Sequence, residues 1–296
     1  MLSLDPRELP QPKLHQYLLG AIGPRPIAFA STLDEQGRAN LAPYSFFNVF
    51  SSNPPILIFS PARRGRDNTT KHTLENALKV RECVINIVNY SIVEQMSLAS
   101  TEFPEGVSEF EKTGLTPITS DVVKPFRVKE APVQFECKIN DVVALGNQGG
   151  AGNLVICEVV RIHVHEDILD EEGRISPIKI DQVARMGGNW YTRANQGLFQ
   201  LPQPMTQIGI GFDRLPEDIR TSSVLTGNEL AQLAGVEALP NETEVNEYKL
   251  TELSDLFIEY EGRASELEQQ LHLKAKELLG TKQLTEAWMT LLAFNN

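Results

Sequence analysis

The stretch Pro24–Asn48, PRPIAFASTLDEQGRANLAPYSFFN, decides the fold of this chain. Its first part alternates with a period of two residues, which is typical of a β-strand that ends at Ser31 and Thr32. The segment Asp34–Gly37 then supplies turn chemistry before the chain returns. The second extended segment mixes polar groups with apolar rings, at Asn40, Tyr44, Ser45, Phe46, Phe47 and Asn48. The pair of strands therefore predicts a site for a flat ligand with a polar edge.

Most of the remaining chain up to about residue 215 also has strand character. Four segments rich in Val and Ile, bounded by Pro, Gly or Asn, are predicted strands: 56–60, 81–88, 133–145 and 154–164. The short glycine-rich link 146–153 predicts that the last two pair antiparallel, because it is too short for a parallel crossover. Two helical patches, 73–80 and 91–99, lie between the strands. Few short helices among many strands favour a barrel with helical decoration.

A basic loop precedes the first of these helices. Arg63, Arg64, Arg66 and Lys71 lie within nine positions of an otherwise acidic chain, and threonines 69, 70 and 73 flank the helix start. A helix N-terminus with hydroxyls and cations is suited to an anion such as phosphate. A solvated loop with ordinary helix capping explains the segment equally well, so the residues alone leave both readings open.

Five motifs follow one another in a recognisable order: RPIAFAST at Arg25–Thr32, NLAPYSFFN at Asn40–Asn48, NPPILIFS at Asn53–Ser60, KHTLEN at Lys71–Asn76 and RMGGNWY at Arg185–Tyr191. Together they resemble the flavin reductase-like proteins with an FMN-binding split β-barrel, over roughly Leu14–Pro204. The resemblance implies a mainly β fold with helices. It also implies FMN as the cofactor, with FAD less favoured.

The resemblance assigns cofactor-binding residues at matching positions. They are Ser31, Thr32, Ser45, Phe46, Phe47, Asn48, Arg66, Lys71, Thr73, Asn76, Arg185 and Tyr191. Lys71 and Thr73 match a Lys-Asp-Thr motif of the family, but His72 replaces its aspartate. No catalytic residue is named, because the redox chemistry belongs to the cofactor.

The RMGGNWY motif and the pair His163 and His165 each have a structural interpretation beside a ligand-binding one. The glycines of RMGGNWY permit unusual dihedrals or close backbone approach. Trp190 and Tyr191 are able to stack on a ring, although for Trp190 we favour closure of the core. His163 and His165 lie two apart on one strand, and a half-exposed strand face is favoured over a metal pair.

Composition excludes several classes of protein. Of 296 residues, 27 are Lys or Arg and 39 are Asp or Glu, a net charge of -12 that argues against nucleic-acid binding. No apolar run is long enough for a membrane span, and the N-terminus lacks a signal-peptide core, so we expect a cytoplasmic protein. Cys83, Cys137 and Cys157 lie in β-branched runs and are predicted to be buried structural thiols.

The sequence divides into a domain at 1–215 and a helical extension at 216–296. Helices are predicted over 226–234 and 244–280, the latter with a heptad-like seam at Phe257, Ala264, Leu271 and Leu278. We favour a packed hairpin, with Gly280 at its turn and 284–294 as the return helix, over an extended coiled coil.

The resemblance favours an NAD(P)H-dependent flavin reductase, in which bound FMN passes electrons to free flavin, to a monooxygenase or to another redox partner. An electron-carrier or non-catalytic FMN protein is the alternative, and a pyridoxamine-phosphate oxidase-like enzyme is more remote. A homodimer with NADH or NADPH as donor is what the resemblance implies.

Overall fold

The structure, a computed structural model, describes residues 1–104, 106–201 and 208–295, which fall into two units, Met1–Phe199 and Gln200–Asn296. The strands are β1 (Ala28–Leu33), β2 (Ala39–Tyr44), β3 (Phe47–Ser52), β4 (Pro55–Phe59), β5 (Glu82–Ile87), β6 (Pro117–Ile118), β7 (Arg127–Val128), β8 (Val133–Ala144), β9 (Asn153–Val164), β10 (Val183–Arg185) and β11 (Tyr191–Arg193). The helices of the first unit are α1 (Gln11–Ala21), α2 (His72–Val80), α3 (Val93–Leu98) and α4 (Glu109–Thr113). Those of the second unit are α5 (Glu217–Arg220), α6 (Gly227–Ala234), α7 (Glu242–Glu252), α8 (Ser254–Glu259), α9 (Ala264–Gly280) and α10 (Leu284–Leu292).

One seven-stranded sheet organises the first unit, in the order β2-β1-β5-β8-β9-β4-β3. Every neighbouring pair in it is antiparallel, and β8 and β9 form the predicted hairpin. The strands predicted over 56–60, 81–88, 133–145 and 154–164 are thus confirmed within a residue or two at each end. A mainly β fold with helices and a helical C-terminal region, as predicted, is what the chain adopts.

Strand β1 is buried on both faces, and its alternation divides two cores. Phe29 and Leu41 belong to a core shared with α3 and α4. Ala28, Ala30 and Tyr44 belong to the opposite core, which is shared with β4, β8, β9 and α2. Because successive side chains of a strand point to opposite faces, small and large residues of β1 fill two different spaces. Its residues from Ala28 to Thr32 are fully buried.

The three cysteines lie inside the second of these cores. Cys83, Cys137 and Cys157 are free and buried, as the surrounding β-branched runs predict. The Sγ atoms of Cys83 and Cys157 are 3.6 Å apart. Hydrogen bonding to Cys83 and burial raise the pKa of Cys137 and Cys157 well above the ordinary thiol value. These thiols therefore act as small core side chains.

The second unit is helical, but its long helix is interrupted. The prediction of one helix over 244–280 is wrong, because α7, α8 and α9 share that range. Gly262 adopts a left-handed φ of 73° between α8 and α9, and Leu253 is the buried junction between α7 and α8. The return helix is confirmed as α10, which packs against α9. Burial of Leu253 and Leu271 in one core explains why a bent arrangement is preferred to a straight rod.

None of the helices in the described parts of the chain combines the length and apolar character needed to cross a membrane.

A buried histidine makes the stability of the helical unit depend on pH. His272 on α9 is 6% exposed, and its Nδ1 lies within hydrogen-bond distance of Ser222 Oγ, at 2.7 Å. Burial lowers the pKa of His272, although the charges of Glu268 and Asp218 oppose this shift. The unfolded chain therefore binds a proton more readily, and stability is lost as the pH falls below about 6.5, the ordinary histidine value.

We expect the free energy of unfolding of this unit, followed by the fluorescence of buried Trp288, to decrease between neutral pH and about pH 5.5. In His272→Asn, which keeps an acceptor near the Nδ1 position, this decrease should become smaller. An equal pH dependence in both proteins would show that other groups are responsible.

Candidate functional site

A hydrogen-bonded cluster of amide and hydroxyl side chains lies at the start of α2. Asn40 Nδ2 donates to Thr73 Oγ1 at 2.8 Å and to Thr32 Oγ1 at 3.3 Å. Asn76 Nδ2 donates to the same Thr32 oxygen at 3.1 Å. The cluster joins β1, β2 and α2 through buried or half-buried groups. It gives the first turn of α2 a fixed position against the sheet.

The register of the sheet explains this cluster. Thr32 and Asn40 are partners across β1 and β2, so their side chains project from the same face. Helix α2 packs on that face through Leu74 and Ala77, which are buried. Thr73 and Asn76 lie on the same side of the helix because they are three residues apart. The helix and the two strands thereby meet at their polar ends.

Lys71 precedes α2 as its N-cap residue and has no ion pair among the described residues. Its Nζ lies 5.4 Å from the centre of the Tyr44 ring. Burial, followed by the nearby charge of Arg64, lowers the pKa of Lys71, whereas Glu102 opposes this shift. A half-buried ammonium without a direct ion pair favours an anion beside it.

Backbone groups at the same place also favour an anion. At the start of α2, the backbone N–H groups of Leu74 and Glu75 both donate to the carbonyl oxygen of Lys71. The N–H groups of His72 and Thr73 have no acceptor among the described residues. These free N–H groups carry the positive end of the helix dipole. The Tyr44 hydroxyl is also buried there, close to Thr73 but without a hydrogen bond of normal geometry to a described residue.

The basic loop before α2 is held by the turn between β8 and β9. Arg63 N donates to Ala151 O at 2.8 Å, and Gly150 N donates to Arg63 O at 3.0 Å. A Cβ at Gly149 would lie 3.0 Å from Arg64 O, so the two loops are in backbone contact. The Arg63 guanidinium further binds the side chain and carbonyl of Asn68. The glycine-rich turn therefore shapes the loop that carries the arginines.

Two cavities open at the start of α2. The smaller, about 80 Å³, is bounded on one side by Tyr44, Lys71 and Thr73 and on the other by the segment 99–103. The larger, about 740 Å³, extends toward the turn between β1 and β2. Both cavities are lined by Asn40, Arg64, His72 and Glu109. A ligand anchored at α2 has room to extend in this direction.

Other residues assigned from the sequence lie elsewhere in the first unit. Ser31 projects from the face of β1 opposite Thr32, and its hydroxyl is buried without a partner among the described residues. Asn48 is exposed, and its Oδ1 accepts from Val49 N at 2.8 Å. The stretch from Ser45 to Asn48, with Phe46 and Phe47, borders neither cavity at α2. Arg66 is exposed and binds Glu102 and Asp67.

The RMGGNWY motif forms the β10–β11 hairpin. Arg185 is paired through its backbone with Arg25, which joins two of the sequence motifs directly. The Arg185 side chain donates to Tyr191 Oη at 2.9 Å and to Gly188 O at 2.8 Å. Tyr191 borders a separate cavity of about 380 Å³, near Tyr90 and Arg193. Arg185 and Tyr191 are therefore not among the residues that line the cavities at α2.

The structure explains why both positions of this motif are occupied by glycine. A Cβ on Gly187 would lie 3.1 Å from Gly20 Cα in α1, and Gly188 has a left-handed φ of 59°. The expectation of close approach and unusual dihedrals is confirmed, with protein backbone as the neighbour. The interpretation of Trp190 as a core residue is wrong, because its side chain is 78% exposed.

His163 lies on β9, whereas His165 follows the end of that strand, and His163 has a neighbour that the sequence did not reveal. His163 Nε2 lies 2.7 Å from Glu136 Oε1, and ligand atoms of Asp121, Glu136 and His163 lie within 4.8 Å of one another. The fully buried Glu136 carboxylate accepts three backbone N–H groups, from Asp121, Val122 and Val123. These bonds lower the pKa of Glu136, although burial, the largest influence, opposes them. The carboxylate thus fixes the loop before β7 onto β8.

Three residues at the start of α2 were not among the cofactor-binding residues assigned from the sequence. Asn40 was noted as a donor, and its position opposite Thr32 follows from strand pairing around the Asp34–Gly37 turn. Glu102 and Glu109 had no local signal, because they reach the site from segments 30 or more positions away along the chain. Glu109 is buried, accepts from Leu41 N at 3.0 Å, and has its pKa raised by burial.

Comparison with known proteins decides the family. The model of the flavin reductase-like domain matches residues 21–179. The chain belongs to the flavin reductase-like family. The family match ends ahead of the helical unit, which begins at Gln200.

Several members of the flavin reductase-like family or its structural neighbours are similar to this chain. An uncharacterised protein of Aquifex aeolicus is 41% identical over 181 residues, which cover 61% of this chain and 90% of that protein. The structure of nitrilotriacetate monooxygenase component B from Bacillus cereus is 34% identical, with a TM-score of 0.64, and the match covers 68% of this chain and 98% of that one. The 2-nitrobenzoate 2-nitroreductase of Pseudomonas fluorescens is 28% identical, with a TM-score of 0.61 and coverages of 71% and 100%. The flavin reductase-like chain described here is accordingly a flavin-related oxidoreductase with the split-barrel fold.

Proposed function

We propose that the first unit binds FMN, with the cofactor phosphate at the start of α2. The observation that carries this proposal is the half-buried, unpaired Lys71 beside the free N–H groups of His72 and Thr73. A phosphomonoester carries close to two negative charges at neutral pH, which an ammonium and a helix N-terminus both stabilise. The Thr73 hydroxyl supplies a further donor, since its oxygen already accepts from Asn40.

The surrounding residues hold this anion site rigid. Asn40 and Asn76 fix Thr32 and Thr73 by hydrogen bonds, and the β8–β9 turn fixes the arginine loop. When bound, the flavin supplies the redox chemistry. The chain's own contribution is to bind the phosphate, orient the cofactor and limit water around it. Our assignment therefore includes no protein nucleophile or general base.

We further propose that NADH or NADPH reduces the bound flavin and that the electrons pass to free flavin or to a monooxygenase. The family and the 34% identity to a monooxygenase component B support this reading. The first experiment is an absorbance spectrum of the purified protein reconstituted with FMN, followed by anaerobic addition of NADH and, separately, of NADPH. Prompt bleaching of the visible flavin bands is the expected result, and the faster of the two reactions identifies the donor.

Two other outcomes have clear meanings. Bound FMN that stays oxidised with both nucleotides would favour an electron carrier over a reductase. Failure to retain FMN, with riboflavin and FAD as comparisons, would overturn the assignment of the phosphate site.

A homodimer is also proposed for the first unit. The edge strand β3 exposes Val49 (62%) and Phe50 (63%), which lie next to each other along the chain. Exposed apolar side chains on a sheet edge are typical of a contact surface. Light scattering on the purified protein measures the mass directly, and a mass of one chain of 33.0 kDa would contradict the dimer.

A further inference from the structure

The arginines next to the proposed phosphate site are already engaged by a carboxylate. Glu102 Oε1 lies 2.9 Å from Arg64 Nε, and Glu102 Oε2 lies 2.5 Å from an Arg66 terminal nitrogen. One side chain thus pairs with two guanidinium groups. Both ion pairs and hydrogen bonding lower the pKa of Glu102, so it is ionised at neutral pH. Two of the cations in the basic loop therefore share one carboxylate from within the chain.

Glu102 belongs to a segment that borders the same small cavity as Lys71. The residues from Ala99 to Phe103 follow α3 and form one wall of this cavity, opposite Tyr44 and Thr73. Thr101 and Glu102 are exposed, and among residues 1–104, 106–201 and 208–295 the backbone of this segment makes only short-range hydrogen bonds, such as Phe103 N to Thr101 O at 2.9 Å. Its longest-range polar contacts are the two pairs made by Glu102. The carboxylate consequently connects a solvent-exposed segment to the arginine loop.

The cations around the cavity differ in their freedom to bind a ligand. Arg64 is 18% exposed in its side chain and borders both cavities, but its Nε donates to Glu102 and its Nη1 donates to Thr69 Oγ1 and to the Thr70 carbonyl. Arg66 is 69% exposed and shared between Glu102 and Asp67. Lys71 makes no direct ion pair among the described residues, although the charge of Glu102 also acts on it and raises its pKa. An arriving phosphate must therefore displace Glu102 from Arg64, whereas no direct ion pair has to be broken at Lys71.

We propose that Glu102 is a specificity-determining residue of the cofactor site, acting as an internal competitor of the phosphate. It occupies the guanidinium groups that a phosphomonoester would otherwise recruit, and so limits how strongly the site selects FMN over riboflavin. This inference rests on the proposed function, because it takes the ligand to be a flavin with a terminal phosphate. A carboxylate and a phosphate use the same donor geometry on arginine, which is why one displaces the other.

The substitution Glu102→Gln removes the charge while keeping the size of the side chain. We expect FMN binding, measured by quenching of flavin fluorescence, to tighten about 2- to 10-fold, since the partly exposed Glu102 carboxylate no longer competes for two arginines. Riboflavin binding should stay within about 2-fold of the wild type. Glu102→Asp, which keeps the charge, should resemble the wild type. Glu171→Gln, at an exposed position whose side chain has no ion pair in the described part of the chain, makes the same change in net charge and should leave both affinities unaltered.

A phosphorus NMR titration with inorganic phosphate tests the competition without any flavin. If Glu102→Gln tightens both FMN and phosphate binding, the proposal is supported. If FMN binding is unchanged or weaker, Glu102 instead holds Arg64 in place and the proposal is overturned. If the wild type binds inorganic phosphate more weakly than Glu102→Gln but binds no FMN, the competition stands and the proposed function fails. If neither protein binds either ligand, both proposals fall.

Discussion

Replacing Lys71 with alanine is expected to weaken FMN binding about 10- to 150-fold. The substitution removes one charge-assisted contact to the cofactor phosphate, of a kind that contributes about 1.5 to 3 kcal/mol. Lys71 is the cation at the start of α2 without an ion pair among the described residues, so no neighbour compensates for its loss. Titration of the apo-protein with FMN, followed by fluorescence quenching, measures the change in dissociation constant.

Two comparisons separate a phosphate contact from general damage. Lys129→Ala removes an exposed lysine that borders neither cavity at α2, and FMN binding should stay close to that of the wild type. Riboflavin, which has no phosphate, should bind Lys71→Ala and wild-type protein about equally. If Lys71→Ala binds FMN as tightly as the wild type, the assignment of the phosphate to the start of α2 is wrong.

The strands and the start of α2 were predictable because their signals are local. Alternation in Ile27–Leu33 and the Asp34–Gly37 turn fix the β1–β2 hairpin, which the structure confirms with Thr32 opposite Asn40. The hydroxyls and cations before α2 also lie within a dozen positions. Such patterns depend on neighbouring residues alone, and a single sequence contains all the information they need.

The residues that contact this site from distant parts of the chain were harder to predict from the sequence. Glu102 reaches Arg64 across 38 positions, and Glu109 reaches Leu41 across 68. Ser31 and Thr32 are adjacent in sequence and were assigned together, yet the strand sends their side chains to opposite faces. Which face meets the helix depends on the packing of α2, so alternation alone cannot decide which hydroxyl lies near the ligand.

The helical unit shows where a periodic pattern is overridden. The heptad-like seam through Phe257 and Leu271 predicts one long helix, but the chain turns at Leu253 and Gly262. Glycine adopts the left-handed φ at Gly262 without steric cost, and the turn lets short helices bury more apolar surface against one another. When helices of one unit pack against one another, the free energy gained by burying apolar surface outweighs helix propensity and sequence periodicity.

Replacing Trp288 with alanine is expected to lower the free energy of unfolding of the helical unit by about 3 to 5 kcal/mol, the usual cost of removing a buried tryptophan. Trp288 on α10 is 1% exposed, and its Nε1 donates to Leu233 O on α6 at 3.2 Å. The substitution leaves a large cavity among Leu279, Leu291 and Ala275 and deprives a buried carbonyl of its donor. Urea denaturation followed by far-UV circular dichroism measures the loss.

The matched variants divide this loss into its physical causes. Trp288→Phe restores most of the volume but not the N–H group, so its destabilisation should be smaller than that of Trp288→Ala by more than half. Leu250→Ala, at an α7 position that is 76% exposed, should change the free energy of unfolding by less than about 0.5 kcal/mol. The other tryptophan of the chain, Trp190, is exposed. The wild-type fluorescence that shifts to longer wavelength on unfolding therefore arises from Trp288. Equal stability of Trp288→Ala and Leu250→Ala would mean that Trp288 does not support the core of the helical unit, whereas the expected difference places this side chain among those that hold α6, α9 and α10 together.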